Sequence, residues 1–220
     1  MKILKIVLVA ISSLFIILLI SCDSKLKKTQ KPFRLNEPRL TPLEESQWTE
    51  EQTKLLSTRK KEDGSVTNVF TTLVRHPILF DRFSNVTNYV LFEQTLPARY
   101  REILILRIGW LCKAKYEFGR HTLIGKKVGL TDEEILRITK GANEPDWSIA
   151  EAALIDATDE LYNDAIISDA TWKTLSEHYT EKQLIDIIFT IGQYNLVSWA
   201  LNSLGVQLEE GVQGFPEEKK

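Results

Sequence analysis

Residues 97–129 read PARYREILILRIGWLCKAKYEFGRHTLIGKKVG, and this stretch decides the fold because it sets ionisable side chains inside a segment that should be buried. In its first half Ile103, Leu104, Ile105, Leu106, Ile108, Trp110 and Leu111 follow one another almost without a break, with Glu102 and Arg107 as the exceptions. A buried strand could carry such a run. Its length of about 15 residues exceeds a usual strand, and Pro97 suits the first turn of a helix, so a helix apolar all round and therefore central is predicted. Glu102 is then a carboxylate inside the core, or at the rim of a pocket within it.

The second half, Ala114 to Val128, can be placed on a wheel at about 100° per residue. Glu117, His121, Ile124 and Val128 share one stripe, Arg120 and Lys127 another, and Leu123 and Tyr116 form a second apolar edge. Such a helix packs on two sides. A carboxylate and an imidazole four residues apart reach each other along a helix. The imidazole can pass a proton near neutral pH, and the carboxylate can fix its tautomer and raise its basicity. The same spacing also serves an ordinary ion pair, and Glu102 can equally pair with Arg99 or Arg101. Residue types alone therefore leave a structural and a catalytic reading open.

The order of these residues resembles a known family. Glu102, twelve residues to Ala114, three more to Glu117 and four more to His121 repeat the spacing of the glutamate, two cysteines and histidine of the alkylhydroperoxidase D-like proteins, within the carboxymuconolactone decarboxylase-like superfamily. Both cysteines are replaced, Ala114 standing at the first position and Glu117 at the second. The run Tyr116, Glu117, Phe118, Gly119, Arg120, His121 is similar to the superfamily branch that reads Tyr-Glu-Trp or Phe-x-x-His. The likeness extends over Asn68 to Leu208. It implies an all-α, alkylhydroperoxidase D-like helical bundle, and self-association as a trimer or hexamer with sites near subunit contacts.

The chain opens MKILKIVLVAISSLFIILLISC, with Lys2 and Lys5 ahead of an apolar stretch from Ile6 to Ser21. A charged start, a hydrophobic run shorter than the roughly 20 residues that span a bilayer, and a small residue before the cut read as a secretory signal. Leu19, Ile20, Ser21 and Cys22 resemble a bacterial lipobox, in which Cys22 is acylated; an uncleaved anchor is the alternative. Both place the protein in a bacterial cell envelope, held at a membrane and facing away from the cytoplasm. The domain plan is a lipoprotein signal peptide at 1–21, a flexible tether at 22–40, a carboxymuconolactone decarboxylase-like helical domain at 41–210 and a loose tail at 211–220. Lys25, Lys27, Lys28, Lys31 and Arg34 lie in the tether, where each can contribute on the order of 1 kcal/mol against anionic headgroups. Without the leader the 28 basic and 30 acidic side chains become 26 and 30, a formal charge of −4 that does not point to nucleic acid as a partner.

With Cys22 acylated, Cys112 is the one thiol left, so no intrachain disulfide and no zinc spacing arise. Cys112 follows Trp110 and Leu111 and reads as a buried inert thiol. The rest carries helical punctuation: Thr49 before Glu50 to Lys61, a short turn Asn68 to Val74, and His76 before Pro77 opening a helix to about Phe92. Further on come Thr131 after Gly129, Ser148 before Ile149 to Asn163, Ser168 or Asp169 ahead of a helix ending near His178, and Thr180 before a last apolar helix through Leu204. Asp156, Asp159 and Glu160 read as a solvated face. The last helix, with Tyr194 and Trp199, reads as either core or an interface. No repeat, phosphate-binding glycine loop or nucleophile elbow occurs, and no metal or organic cofactor is indicated.

Three functions follow. Glu102, Glu117 and His121 as catalytic residues could take a proton from a carbon beside a carbonyl and return it elsewhere, with His121 as base, on a small carboxylic acid or lactone. Peroxiredoxin or alkylhydroperoxidase activity, which the resemblance implies, needs an attacking and a resolving sulfur, and one thiol remains. A non-catalytic protein binding a small ligand or partner at the envelope is the third.

Overall fold

A computed structural model describes residues 34–216. The leader at 1–21, Cys22, the tether up to residue 33 and residues 217–220 lie outside the described residues.

Among the described residues every regular element is helical, as the sequence predicts. A 3-10 turn at Glu45–Gln47 precedes α1 (Glu50–Ser57), α2 (Asn68–Leu73) and α3 (Pro77–Asn88). A π-helical turn (Tyr89–Glu93) then leads to α4 (Ala98–Leu111) and α5 (Lys115–Lys127), followed by α6 (Asp132–Lys140), α7 (Ile149–Asp164), α8 (Asp169–His178) and α9 (Glu181–Leu204). Thr49, Thr131, Ser148 and Thr180 each accept from a backbone N–H in the first turn, and the Gln or Glu there reaches back to the cap, which satisfies two otherwise orphaned donors. His76 serves the same end through Nδ1, which accepts from the Leu79 N–H. The first helix stops at Ser57 and not near Lys61. Asp63 accepts from both the N–H and hydroxyl of Ser65, and this local turn competes with further helix.

α4 is the centre, and its composition explains why. Ile103, Leu104, Ile105, Leu106 and Ile108 are fully buried on all sides of it, and it packs against α5, α6, α7 and α9. Leu104, Ile105 and Ile108 join Leu154, Ile187, Ile191 and Tyr194 in one cluster. Ile103 and Leu106 join Phe118, Ile135, Ile138 and Ile155 in another. Each such side chain contributes about 1.5–3 kcal/mol by leaving water. That burial offsets the cost of the charged groups within.

Arg107 is the first of those. Its Nε and Nη2 each donate to Asp159 of α7 at 2.6 Å, and its Nη1 donates to the Ile138 and Thr139 carbonyls near the end of α6. One guanidinium thus ties three helices. Asp156 is exposed as expected, but Asp159, with 31% of its side chain exposed, is pinned by that arginine, and Glu160 is likewise engaged, accepting from the Ser168 N–H and the Thr171 hydroxyl at the start of α8. Both are held because a buried arginine and a helix N-terminus need an acceptor, which a wheel of one helix cannot display.

α9 is long and apolar enough to cross a bilayer, but 50% of its most apolar window is buried in the fold. Tyr194 is buried, whereas Trp199 is 58% exposed, so the helix has both a core face and an open face. The tail corrects the sequence reading. Residues 211–216 were expected to be loose, yet the Phe215 ring lies 5.1 Å from Trp110 and 5.3 Å from Phe118. The backbone of Gln213 crosses α5 at Gly119, where a Cβ would come within 2.4 Å of the Gln213 carbonyl oxygen. The segment is a strap, held by one aromatic side chain and one glycine.

Candidate active site

The corner between α4 and α5 builds the site. Lys113 adopts the left-handed conformation at φ 53°, and its ammonium sits 4.1 Å from the centre of the Trp110 ring. The chain reverses there, and α5 runs back along α4 with Glu117 lying over Gly109.

That reversal brings the three sequence-predicted residues together. His121 Nδ1 is 2.7 Å from Glu102 Oε2, and His121 Nε2 is 3.0 Å from Glu117 Oε1. The imidazole is bracketed by two carboxylates, one from each helix. Arg101 completes the inner end: its Nε donates to Glu102 Oε1 at 2.8 Å, and its Nη1 donates to the Leu91 carbonyl in the π-helical turn. π-Turns leave carbonyls without their usual helical donors, and here a buried arginine supplies one. The alternative pairing of Arg99 with Glu102 is not realised, since Arg99 bonds Glu134 and Glu151.

Tyr194 closes the site from α9, its ring meeting the His121 ring edge-on with centres 4.9 Å apart. Tyr194 is a site residue that sequence spacing around Glu117 and His121 does not reveal. The signal was present in the spacing Leu184, Ile187, Ile191, Tyr194, a buried register on one helix face that turns Tyr194 towards α4 and α5.

Charges in the site compensate. Burial alone would depress the His121 imidazolium, but Glu102 and Glu117 overcome it and hold the group up to about 10. Burial pushes the Glu102 carboxyl up, yet His121 and Arg101 outweigh that and hold it below the ordinary carboxylate range. Burial, with the nearby Glu117 and Glu102, raises the Tyr194 phenol well above its usual value. At neutral pH the site is an imidazolium flanked by Glu102 as a carboxylate and by Glu117.

The two carboxylates differ in what they still offer. Both oxygens of Glu102 are bonded. Glu117 Oε1 lies 3.0 Å from His121 Nε2 as an ion-pair contact and has no other partner. A buried carboxylate oxygen in that condition is an open acceptor. Exposure is graded the same way, with the Glu102 side chain at 0%, Glu117 at 5% and His121 at 7%.

A cleft of about 870 Å³ lies beside the site rather than on it. Lys115, Phe118, Thr122 and Lys126 of α5 line it together with Ile135 of α6 and Phe215 of the strap, and none of Glu102, Glu117 and His121 does. Cys112 is buried as predicted, and its thiol donates to Asn195 Oδ1 at 3.0 Å.

The fold matches solved structures. An alkylhydroperoxidase AhpD core, a peroxidase-related protein from Ralstonia eutropha, aligns with TM-score 0.69 and 17% identity over 78% of this chain and 93% of that one. The fold is AhpD-like. A second peroxidase-related protein, from Silicibacter sp., aligns with TM-score 0.66 and 17% identity over 85% of this chain and 97% of its own. The debrominase Bmp8 with 2,3,4-tribromopyrrole bound aligns with TM-score 0.65 and 15% identity over 81% of this chain and 95% of its own. The model of the carboxymuconolactone decarboxylase family matches residues 77–160, a span that holds Glu102, Glu117 and His121. Among curated protein sequences nothing matches.

Proposed function

We propose that this is a membrane-tethered, carboxymuconolactone decarboxylase-like protein that performs acid/base chemistry on a small carboxylic acid or lactone through Glu102, Glu117 and His121. The observation that carries the reading is the chain Glu117 Oε1, His121 Nε2, His121 Nδ1, Glu102 Oε2, with steps of 3.0 and 2.7 Å. Its outer oxygen has no partner besides His121, and its inner end is sealed by Arg101. Because His121 is already protonated at neutral pH, the base is Glu117 and not, as its residue type suggests, the imidazole. Glu117 takes a proton from a carbon beside a carbonyl, and His121 donates from Nε2 as negative charge builds on the substrate. Glu102, kept ionised by His121 and Arg101, holds the imidazolium in place. Cys22 carries the lipid that fixes the domain at the envelope, with Lys25, Lys27, Lys28 and Lys31 between them.

Dithiol peroxidase chemistry is disfavoured by the single remaining thiol, which is engaged by Asn195. A non-catalytic, ligand-binding role is favoured by a different observation, the near-closure of the three residues beside an open cleft. The two separate by hydrogen exchange. A panel of small lactones and carboxylic acids in deuterated water, followed by proton NMR, should show solvent deuterium entering beside the carbonyl with wild type and with Cys112→Ala, and not with Glu117→Gln. Exchange that persists in Glu117→Gln, or that wild type gives with no member of the panel, removes the catalytic reading.

A further inference from the structure

Asp186 of α9 is a carboxylate only 3% exposed, and its three hydrogen-bond donors are uncharged. The Tyr89 hydroxyl donates to Oδ1 at 2.7 Å, and the Thr95 N–H and hydroxyl donate to Oδ2 at 2.8 and 2.7 Å. Taking a carboxylate out of water is costly, and charge-assisted bonds of this kind offset the cost. All three donors flank one feature. Tyr89 opens the π-helical turn, and Thr95 lies just past its end.

The rest of that face of α9 grips the same segment. Gln183 donates to the Thr95 carbonyl, the Thr190 hydroxyl to Gln94 Oε1, and Gln193 to the Thr87 hydroxyl. With Asp186 these residues recur at steps of three, four and three, which makes one polar stripe on the helix. Gln94 is held from both sides: its N–H closes the π-turn on the Tyr89 carbonyl at 3.0 Å, and its Nε2 donates to the Val90 carbonyl. Turns of this kind are rare in helices and occur mostly at functional sites.

The Leu91 carbonyl shows what the clamp achieves. In a continued α-helix that oxygen would accept from the N–H four residues on, which is Thr95. Asp186 takes that N–H. The Leu91 carbonyl accepts instead from Arg101 Nη1, on the guanidinium whose Nε donates to Glu102. The same helix also supplies Tyr194, against the His121 ring, so α9 supports the site at both ends.

We propose that Asp186 is a positioning residue for the site: it diverts the Thr95 N–H, leaves the Leu91 carbonyl open to Arg101 and, with Thr190, fixes the turn that presents it, so that the guanidinium is held on Glu102. This role rests on the reading of Glu102, Glu117 and His121 as the working residues. It concerns a hydrogen bond and not turnover, so the two can fail separately.

Nitrogen-15 NMR of the full chain in detergent at neutral pH tests it, through the exchange of arginine Nε–H with water. Arg101 and Arg107 each donate Nε–H to a carboxylate, of Glu102 and Asp159, so each should give a protected resonance in wild type, assigned by its loss in Arg101→Lys or Arg107→Lys. Asp186→Asn and Thr190→Val should speed exchange at Arg101 by about tenfold, the effect of one lost hydrogen bond, and leave Arg107 unchanged. Thr190→Ser, which keeps the hydroxyl, should behave as wild type. Tyr89→Phe removes one donor from a ring that is 42% exposed and should move Arg101 the same way by less, which keeps the test open if a buried variant does not fold. An Arg101 resonance that is unprotected in wild type, or that keeps the wild-type rate in the folded variants, overturns the assignment. So does an equal rise at Arg101 and Arg107, which marks general loosening, and so does Thr190→Ser matching Thr190→Val.

Discussion

Replacing Glu102 by Gln keeps its shape and removes the charge that His121 and Arg101 both face. The Glu102 side chain is wholly buried, 2.7 Å from the imidazole and 2.8 Å from the guanidinium. Removing one partner of a buried ion pair typically costs about 3–5 kcal/mol, because the other charge is left without compensation. For a chain of this size each kcal/mol moves the melting temperature by roughly 2–4 °C, so a fall of roughly 6–20 °C is expected. The pH dependence should change in a definite direction. His121 is raised from 6.5 to about 10 in the fold, so its contribution is fully present below pH 6.5 and is lost as pH rises towards 10. That displacement is equivalent to about 5 kcal/mol in all. Wild type should therefore lose stability steadily between pH 7 and 10, an interval set by the displaced imidazole. In Glu102→Gln much of that slope should vanish, since Glu102 is the larger of the two carboxylate influences on His121. Thermal melts by circular dichroism at several pH values measure both effects. A variant that melts within a degree or two of wild type, with the same pH profile, refutes the electrostatic account.

Other consequences are simpler to check. Glu117→Gln should lower any turnover by about 10²–10⁴-fold, the usual contribution of a positioned base, and melt below wild type by less than Glu102→Gln does, since Glu117 is the smaller of the two carboxylate influences on His121; a loss of stability equal to that of Glu102→Gln would indicate a core role. Cys112→Ala should leave turnover intact, and the native thiol should react slowly with maleimide, since it is buried against Asn195. Gly119→Ala would normally strengthen a helix. Here the added methyl meets the Gln213 carbonyl at 2.4 Å, so a loss of about 1–3 kcal/mol and faster proteolysis of the C-terminal tail are expected. A stabilised Gly119→Ala would show that the strap is not held at that point.

The helical plan was legible because its signals are local. Thr131 with Glu134, Ser148 with Glu151 and Thr180 with Gln183 announce helix starts within four residues, and all three caps form. α4 declared itself by an apolar run too long for a strand, Glu102 by its charge within that run, and Glu117 and His121 by their four-residue spacing on the helix that follows. What stayed hidden depends on residues far apart in the chain. Phe215 looked like part of a polar tail until Trp110 and Phe118 supplied its neighbours. Asp159 looked solvated until Arg107, 52 positions away, reached it. The protonation of His121 was hidden for the same reason: spacing reveals that Glu117 is near, but the second carboxylate arrives only when α5 folds back on α4. Glu and His four residues apart suggest a neutral base, whereas the folded site makes a cation.

The account therefore turns on the state of one imidazole. Nitrogen-15 NMR of the labelled protein, with His121 assigned by its loss in His121→Gln, reads that state apart from His76 and His178. Two protonated ring nitrogens that persist from pH 6 to 9 are expected for a group held up to about 10. A neutral His121 at pH 8, titrating near the 6.5 of a free imidazole, would contradict the claim that Glu117, His121 and Glu102 act as a single proton-holding unit.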